Sequence, residues 1–186
     1  YFDELVFAVG STGTTFGIPG VEENALQMKD LYQARAIRNR LLQTYEDVET
    51  GTKPKEAMRV VVVGGGPTGV EVSGAIAELQ KSMTREFPAI SKHASVTLVE
   101  AGPRLLPSFS EKSSENAKQD LEELGVNVKV DSAVDRMYPS DVHLKSGEVL
   151  PAGTIIWAAG VAAPSEWKVL GEIDRSNRLM VSETLR

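Results

Sequence analysis

Short apolar runs that stop at glycine alternate along this chain with stretches in which apolar residues recur every three or four positions. Leu5, Val6, Phe7, Ala8 and Val9 run up to Gly10; Val60, Val61, Val62 and Val63 run up to Gly64; Ile155, Ile156 and Trp157 lead through Ala158 and Ala159 to Gly160. Runs of this length, rich in β-branched residues, suit strands buried on both faces of a parallel sheet. Residues 96–99 read as a further strand, and Val126, Val128 and Val130 alternate with polar neighbours as another. The helical period appears at Leu31, Ala34, Ile37, Leu41, Tyr45 and Val48, with Asp30 as a cap, which predicts an amphipathic helix over residues 31–48. Val72, Ile76, Leu79 and Met83 continue a helix that starts at Pro67. Ala117, Leu121 and Leu124 mark a third, introduced by a capping box of Ser108 and Glu111 and stopped by Gly125 in the left-handed conformation.

Between these elements the turn chemistry is explicit. Residues 14–23 carry Pro19-Gly20 and read as a loop, residues 49–56 are polar with Gly51 and Pro54, and residues 87–94 read as a loop opened by the helix breaker Pro88. Residues 134–138, 142–145 and 148–149 form short strands, the last two joined by Ser146-Gly147 as a hairpin turn. Because strand-helix-strand crossovers are right-handed, the strands at 60–63, 96–99 and 126–130 should lie side by side and parallel. The fold class is α/β: a Rossmann-like parallel sheet with flanking helices and a small antiparallel β-meander. No internal repeat is visible beyond the likeness of LVFAVG to IIWAAG.

The run 60–63 opens directly onto Gly64, Gly66 and Gly69 in a G-x-G-x-x-G frame, with Pro67 at the first helical position, where its fixed φ is already helical. Gly64 permits the tight bend, Gly66 lets backbone approach a pyrophosphate, and Gly69 allows close helix packing. The helix N-terminus offers N–H groups and a positive dipole end to phosphates. Such a site needs an acid after the next strand to hold the adenosine ribose, and Glu100 stands there. It lies 31 residues beyond Gly69 (100 − 69), where about 20 is usual; Glu86 is nearer the usual spacing but falls at the polar end of a helix. An acid at 100 favours NADH over NADPH, whose extra phosphate it repels.

Composition narrows the rest. The chain has 186 residues, 41% hydrophobic and 25% charged, ordinary for a globular protein with one full core. A net charge of -6, with no run of Lys or Arg, argues against a nucleic-acid surface. No apolar run approaches a membrane span, and no signal peptide is recognisable. With no cysteine, disulfides, thiolate metal sites and dithiol chemistry are excluded; His93 and His143 have no metal-spaced partner and are expected at the surface. No catalytic side chain is evident, since Ser11, Ser73 and Ser165 lack a His and Asp constellation. The start at Tyr1, close to a strand, reads as an internal excerpt of a longer protein.

Taken together, GGGPTGVE at 64–71, LVEAGPRLLP at 98–107, TIIWAAGV at 154–161 and ALQMKDLYQARAIRNRLL at 25–42 resemble the two-dinucleotide-binding-domain flavoprotein oxidoreductases, and among them the type II NADH:quinone dehydrogenases. The resemblance covers almost the whole chain. It implies an NADH domain inserted within an FAD domain, joined through strands ending in an A-T-G motif; residues 8–10 and 158–160 match the junctions, with Val9 and Ala159 at the threonine position. Ser73 stands where a small residue supports helix packing. By resemblance Pro67 and Thr68 belong to the glycine motif, Glu71 lies near the nicotinamide and flavin edge, Ala159 and Gly160 approach the nicotinamide, Val134 lies under the adenine, and Gly10 and Ser11 face FAD. Glu71 could equally complement the helix N-terminus, and Val134 could equally be core.

The resemblance implies domains at 1–57 (end of an FAD-domain strand, loop, helix and linker), 58–160 (NADH-binding) and 161–186 (return segment). The first FAD glycine motif, the G-D motif, the quinone site and membrane-binding helices are expected outside the chain, so it is expected to hold NADH weakly and FAD poorly or not at all. The intact protein is expected to be cytoplasmic, peripheral on the inner face of a membrane, with a homodimer left open. Two other functions are open at this point: a flavoprotein reductase with a protein acceptor, of ferredoxin or rubredoxin reductase type, and a non-catalytic NADH-binding module. The lack of cysteine argues against members resembling thioredoxin reductase.

Overall fold

The computed structural model describes residues 3, 5–8, 10–174 and 177–184. In chain order its elements are β1 (Thr12–Gly13), α1 (Val21–Asn24), β2 (Ala25–Gln27), α2 (Leu31–Glu49), β3 (Arg59–Val63), α3 (Pro67–Met83), β4 (Ser95–Val99), α4 (Glu111–Glu123), β5 (Asn127–Lys129), β6 (Val134–Tyr138), β7 (Asp141–Leu144), β8 (Val149–Pro151), β9 (Thr154–Trp157) and β10 (Val161–Ala162). They fall into two compact units, Thr15–Ala159 and a smaller one of Tyr1–Thr14 with Gly160–Arg186. The boundary expected between 57 and 58 falls inside the larger unit, because β2 pairs with β9 and α2 packs on the sheet.

In the larger unit the sheet order is β2-β9-β3-β4-β5, with every neighbouring pair parallel. The three strands expected side by side are adjacent, and β9 adds to the free edge of β3. Side chains of a strand point alternately to opposite faces, and here both faces are covered. Val60 and Val62 join Ile37, Leu41, Val72, Ile76 and Leu98 beneath the helices. Val61 and Val63 join Met137, Val142, Leu144 and Trp157 beneath the antiparallel sheet β6-β7-β8. The meander thus takes the layer that a helix would otherwise fill, and the four-valine run of β3 is apolar throughout because neither of its faces meets water.

The helices follow their predicted stripes with local departures. Asp30 caps α2 by accepting a hydrogen bond from Gln33 N–H at 2.8 Å, and Ile37, Leu41, Tyr45 and Val48 are buried, but Leu31 is exposed in the first turn. Helix α4 is capped by Ser110, which accepts from Ser113 N–H, and not by Ser108. Its buried stripe uses Ser114 and Leu121, while Leu124 is 40% exposed. The segment 87–94 is more than a loop: Ile90 is buried with Tyr45, Val48 and Met58, and Phe87 lies 5.4 Å from the Tyr45 ring, so the long crossover after α3 anchors the end of α2. His93 and His143 are half-buried, and His143, with 35% of its side chain exposed, places Nε2 2.7 Å from Asp141 Oδ1.

In the smaller unit, β1 and β10 pair antiparallel over two residues each. The strand expected at 5–9 is not formed at residues 5–8, where Leu5 and Val6 are largely exposed, and Val9 lies outside the described residues. A doubly buried strand needs a neighbour to pair with and cover on its faces; among the described residues none pairs with 5–8.

Leu98 is fully buried against the helices. Leu98→Ala is expected to lower unfolding free energy by about 2–5 kcal/mol through lost transfer energy and a residual cavity, whereas Leu124→Ala should cost under about 1 kcal/mol. Urea unfolding of both variants checks this; equal losses would remove Leu98 from the core.

Candidate dinucleotide site

The site is assembled where β3 and β4 end, and it depends on missing side chains. Gly64 adopts φ +115°, a left-handed backbone that glycine alone takes easily. A Cβ there would sit 2.7 Å from Ala159 N and 2.8 Å from Ala159 Cα, and a Cβ on Gly69 would run into the carbonyl of Gly64. The chain can therefore turn from β3 into α3 beneath the end of β9 only with glycine at both positions. Gly66 differs from them: a Cβ there would meet nothing within 4 Å. It is the N-cap of α3 and, having no side chain, offers no side-chain cap, while Pro67 occupies the first helical position. The turn therefore presents open backbone and a helix N-terminus to anything that docks above it.

Glu100 directly follows β4. One carboxylate oxygen accepts Gly65 N–H at 2.6 Å, and the other accepts Gly102 N–H at 2.6 Å. The carboxylate therefore stands at the mouth of the glycine turn despite the long spacing from Gly69. These are charge-assisted bonds of the stronger kind, and a carboxylate with about four lone-pair sites keeps capacity for sugar hydroxyls. The backbone around it is tied down in turn. Ser132 N–H donates to Glu100 O and Asp131 N–H to Gly102 O, each at 2.8 Å, so the loop after β5 clasps the loop after β4.

The other expected site residues divide between surface and core. Thr68 and Glu71 are exposed on α3. Glu71 lies beyond the first turn, which holds no acid, and the dipole effect fades within that turn; complementing the helix end is thus a poor account of it. Ala159 packs against Gly64. Val134 is 5% exposed and lies in the core with Val63 and Val99. Ser73, where a small residue was expected, is fully buried in α3. In the smaller unit, Gly160 and Gly10 adopt φ of 76° and 77°, and Ser11 is half-buried.

Residues that sequence reasoning passed over also build the site. Gly65 must be glycine, because a Cβ would lie 2.8 Å from both Glu100 Cβ and Leu105 Cδ2. Leu105 is buried, and Leu106 N–H donates to Gly65 O at 2.8 Å. The triplet Gly64-Gly65-Gly66 was the available signal, since a three-glycine run exceeds what the motif itself asks for.

Known proteins resemble this chain in sequence and in fold. The whole chain, residues 1–186, matches the pyridine nucleotide-disulphide oxidoreductase family. It is similar to a probable NADH dehydrogenase of Dictyostelium discoideum, 32% identical across 100% of this chain and 43% of that protein. It is also similar to the type II NADH:quinone oxidoreductase of Haemophilus influenzae, 30% identical across 100% of this chain and 46% of that protein. Among solved structures, NDH2 from Plasmodium falciparum in complex with NADH matches with a TM-score of 0.80 at 32% identity, over 84% of this chain and 34% of that one. The chain spans less than half the length of these relatives. With a family match running along its full length, the chain belongs to the pyridine nucleotide-disulphide oxidoreductases.

Proposed function

We propose that this chain is the NADH-binding part of a flavin-dependent NADH dehydrogenase that delivers electrons to a quinone. The observation that carries the reading is the Glu100 carboxylate, held by Gly65 N–H at 2.6 Å beside the open Gly66 turn. A pyrophosphate on the N-terminus of α3 and a ribose on Glu100 would be two anchors of one ligand, and the residues present fit an NADH. Gly66, Pro67, Thr68 and Gly69 form the phosphate end, Glu100 the ribose end, and Val134 the floor toward the adenine. Glu71 and Ala159 are assigned to the nicotinamide end.

When bound, NADH supplies the hydride; this chain binds, orients and selects by charge, and no side chain of it need act as nucleophile or base. Gly10 and Ser11 alone do not build a flavin site, so FAD is assigned to other parts of the intact protein. The names of the Dictyostelium and Haemophilus relatives support NADH and quinone as substrates, and no observation favours a protein acceptor or a non-catalytic module. Quinones are lipid-soluble, so we infer that the intact protein works at a membrane surface with this domain in the aqueous phase. Among the described residues no helix is long and apolar enough to cross a membrane.

Glu100→Ala in the full-length protein is expected to weaken NADH binding by roughly 10–100-fold, the worth of hydrogen bonds to a charged group, and to narrow the preference over NADPH. Titration calorimetry with both nucleotides decides it, and an unchanged preference would remove Glu100 from the site. Gly66→Trp should abolish NADH binding with little change in melting temperature, because the position faces open space at φ −73°. Retained affinity would count against a phosphate at the turn.

A further inference from the structure

Beside the glycine turn lies a loop, residues 101–110, whose shape is set from within by one guanidinium. Arg104 Nη2 donates to Pro107 O at 2.8 Å, and Nη1 donates to Phe109 O at 3.0 Å and to Leu106 O at 3.5 Å. Leu106 is held at φ +49°, a conformation that a branched side chain adopts only where its surroundings enforce it. From the other side, the Ser114 hydroxyl on α4 donates to Leu105 O at 2.5 Å. The loop so shaped places Leu105 under Gly65 and aims Leu106 N–H at Gly65 O.

Both polar groups of Gly65 are thereby committed, its N–H to Glu100 and its carbonyl to Leu106. The peptide joining Gly65 to Gly66 is planar and trans. Fixing its carbonyl toward Leu106 therefore turns Gly66 N–H the opposite way, out of the loop. Arg104 donates to carbonyls of its own loop, and the aim of Glu100 and Gly66 depends on the loop that it holds closed.

We propose that Arg104 is a positioning residue for nucleotide binding: its fork fixes the 101–110 loop, and through Leu105 and Leu106 it sets the orientation of the Gly65-Gly66 backbone and of the Glu100 carboxylate. This rests on the NADH reading above and adds a residue whose hydrogen bonds go to its own loop. Three carbonyls arranged around one planar fork require arginine; a lysine keeps the charge but not the geometry. A role as a diffuse positive charge attracting pyrophosphate would, by contrast, survive Arg104→Lys.

The test compares the parent full-length protein with Arg104→Met and Arg104→Lys. Both variants are expected to bind NADH about tenfold more weakly, the scale of one misdirected hydrogen bond to a charged group. The loss for NADPH should be smaller, so that the preference narrows, with melting temperatures near that of the parent. Without ligand, the Gly65 amide proton, bonded to a carboxylate at 2.6 Å, should resonate far downfield in the parent and move upfield in Arg104→Lys. Full affinity in Arg104→Lys, equal losses for both nucleotides, or an unmoved Gly65 resonance overturns the proposal. Should Arg104→Met fail to fold, Arg104→Lys decides by the same measurements. A parent that does not bind NADH overturns the nucleotide reading instead, and the ligand-free resonance still decides the positioning role.

Discussion

At the end of β3 three glycines lie closer to their neighbours than any side chain would allow. A Cβ at Gly64 would collide with the chain leaving β9, one at Gly65 with Glu100 and Leu105, and one at Gly69 with the carbonyl of Gly64. That triple exclusion lets α3 start directly over the sheet edge, lets β9 close in beside β3, and brings the residue after β4 within hydrogen-bond reach of the turn. Gly66 is the position in the turn where the exclusion is absent, and it is there that the backbone faces open space. Steric necessity at three glycines stands beside steric freedom at the fourth, so the turn is fixed by its neighbours and still open at Gly66.

The sheet that supports this turn is buried from two unlike sides. Three helices cover one face and a three-stranded antiparallel sheet covers the other. Apolar side chains at alternate β3 positions serve two separate clusters, so a polar residue anywhere in 60–63 would lie unsatisfied in one of them. The long crossover between α3 and β4 leaves the site geometry unchanged because its extra residues are spent elsewhere, packing Phe87 and Ile90 against Tyr45 and Met58. Spacing counted along the chain is for that reason a weak guide to what stands beside the turn; Glu100 is brought there by following a strand adjacent to β3.

What could be read from the sequence was what rests on period and on backbone chemistry. Val60 to Val63, the stripe of α2 with its Asp30 cap, Gly125 at φ +90° and the meander with Gly147 at φ +90° all follow from local rules. Features decided by tertiary contact were not legible. β2 is three residues long, too short to show a period, and exists because the edge of β9 pairs with it. The cap of α4 moved from Ser108 to Ser110 because Arg104 holds the carbonyls of residues 106, 107 and 109, which delays the helix. Residues 5–8 are apolar enough for a strand, yet among the described residues no partner strand is present to make them one. Arg104 and Ser114 themselves looked like ordinary polar residues, since their role lies entirely in the carbonyls they reach.

Under the NADH reading, the charge at the mouth of the turn selects between nucleotides only if it stays in place. A carboxylate on a free glutamate side chain could rotate away from an approaching 2′-phosphate and into water at small cost. At Glu100 that movement would break two charge-assisted bonds, to Gly65 and Gly102 N–H, each worth about 1.5–3 kcal/mol. A unit charge about 4 Å from another is repelled by roughly 4 kcal/mol at an effective dielectric of about 20. Holding and repelling energies are thus comparable, so a 2′-phosphate would meet a fixed negative charge and not one that yields. Under the NADH reading, specificity then resides in the backbone that pins the acid as much as in the acid, and an aspartate at 100, one methylene shorter, would keep the charge but give up the simultaneous reach to both N–H groups.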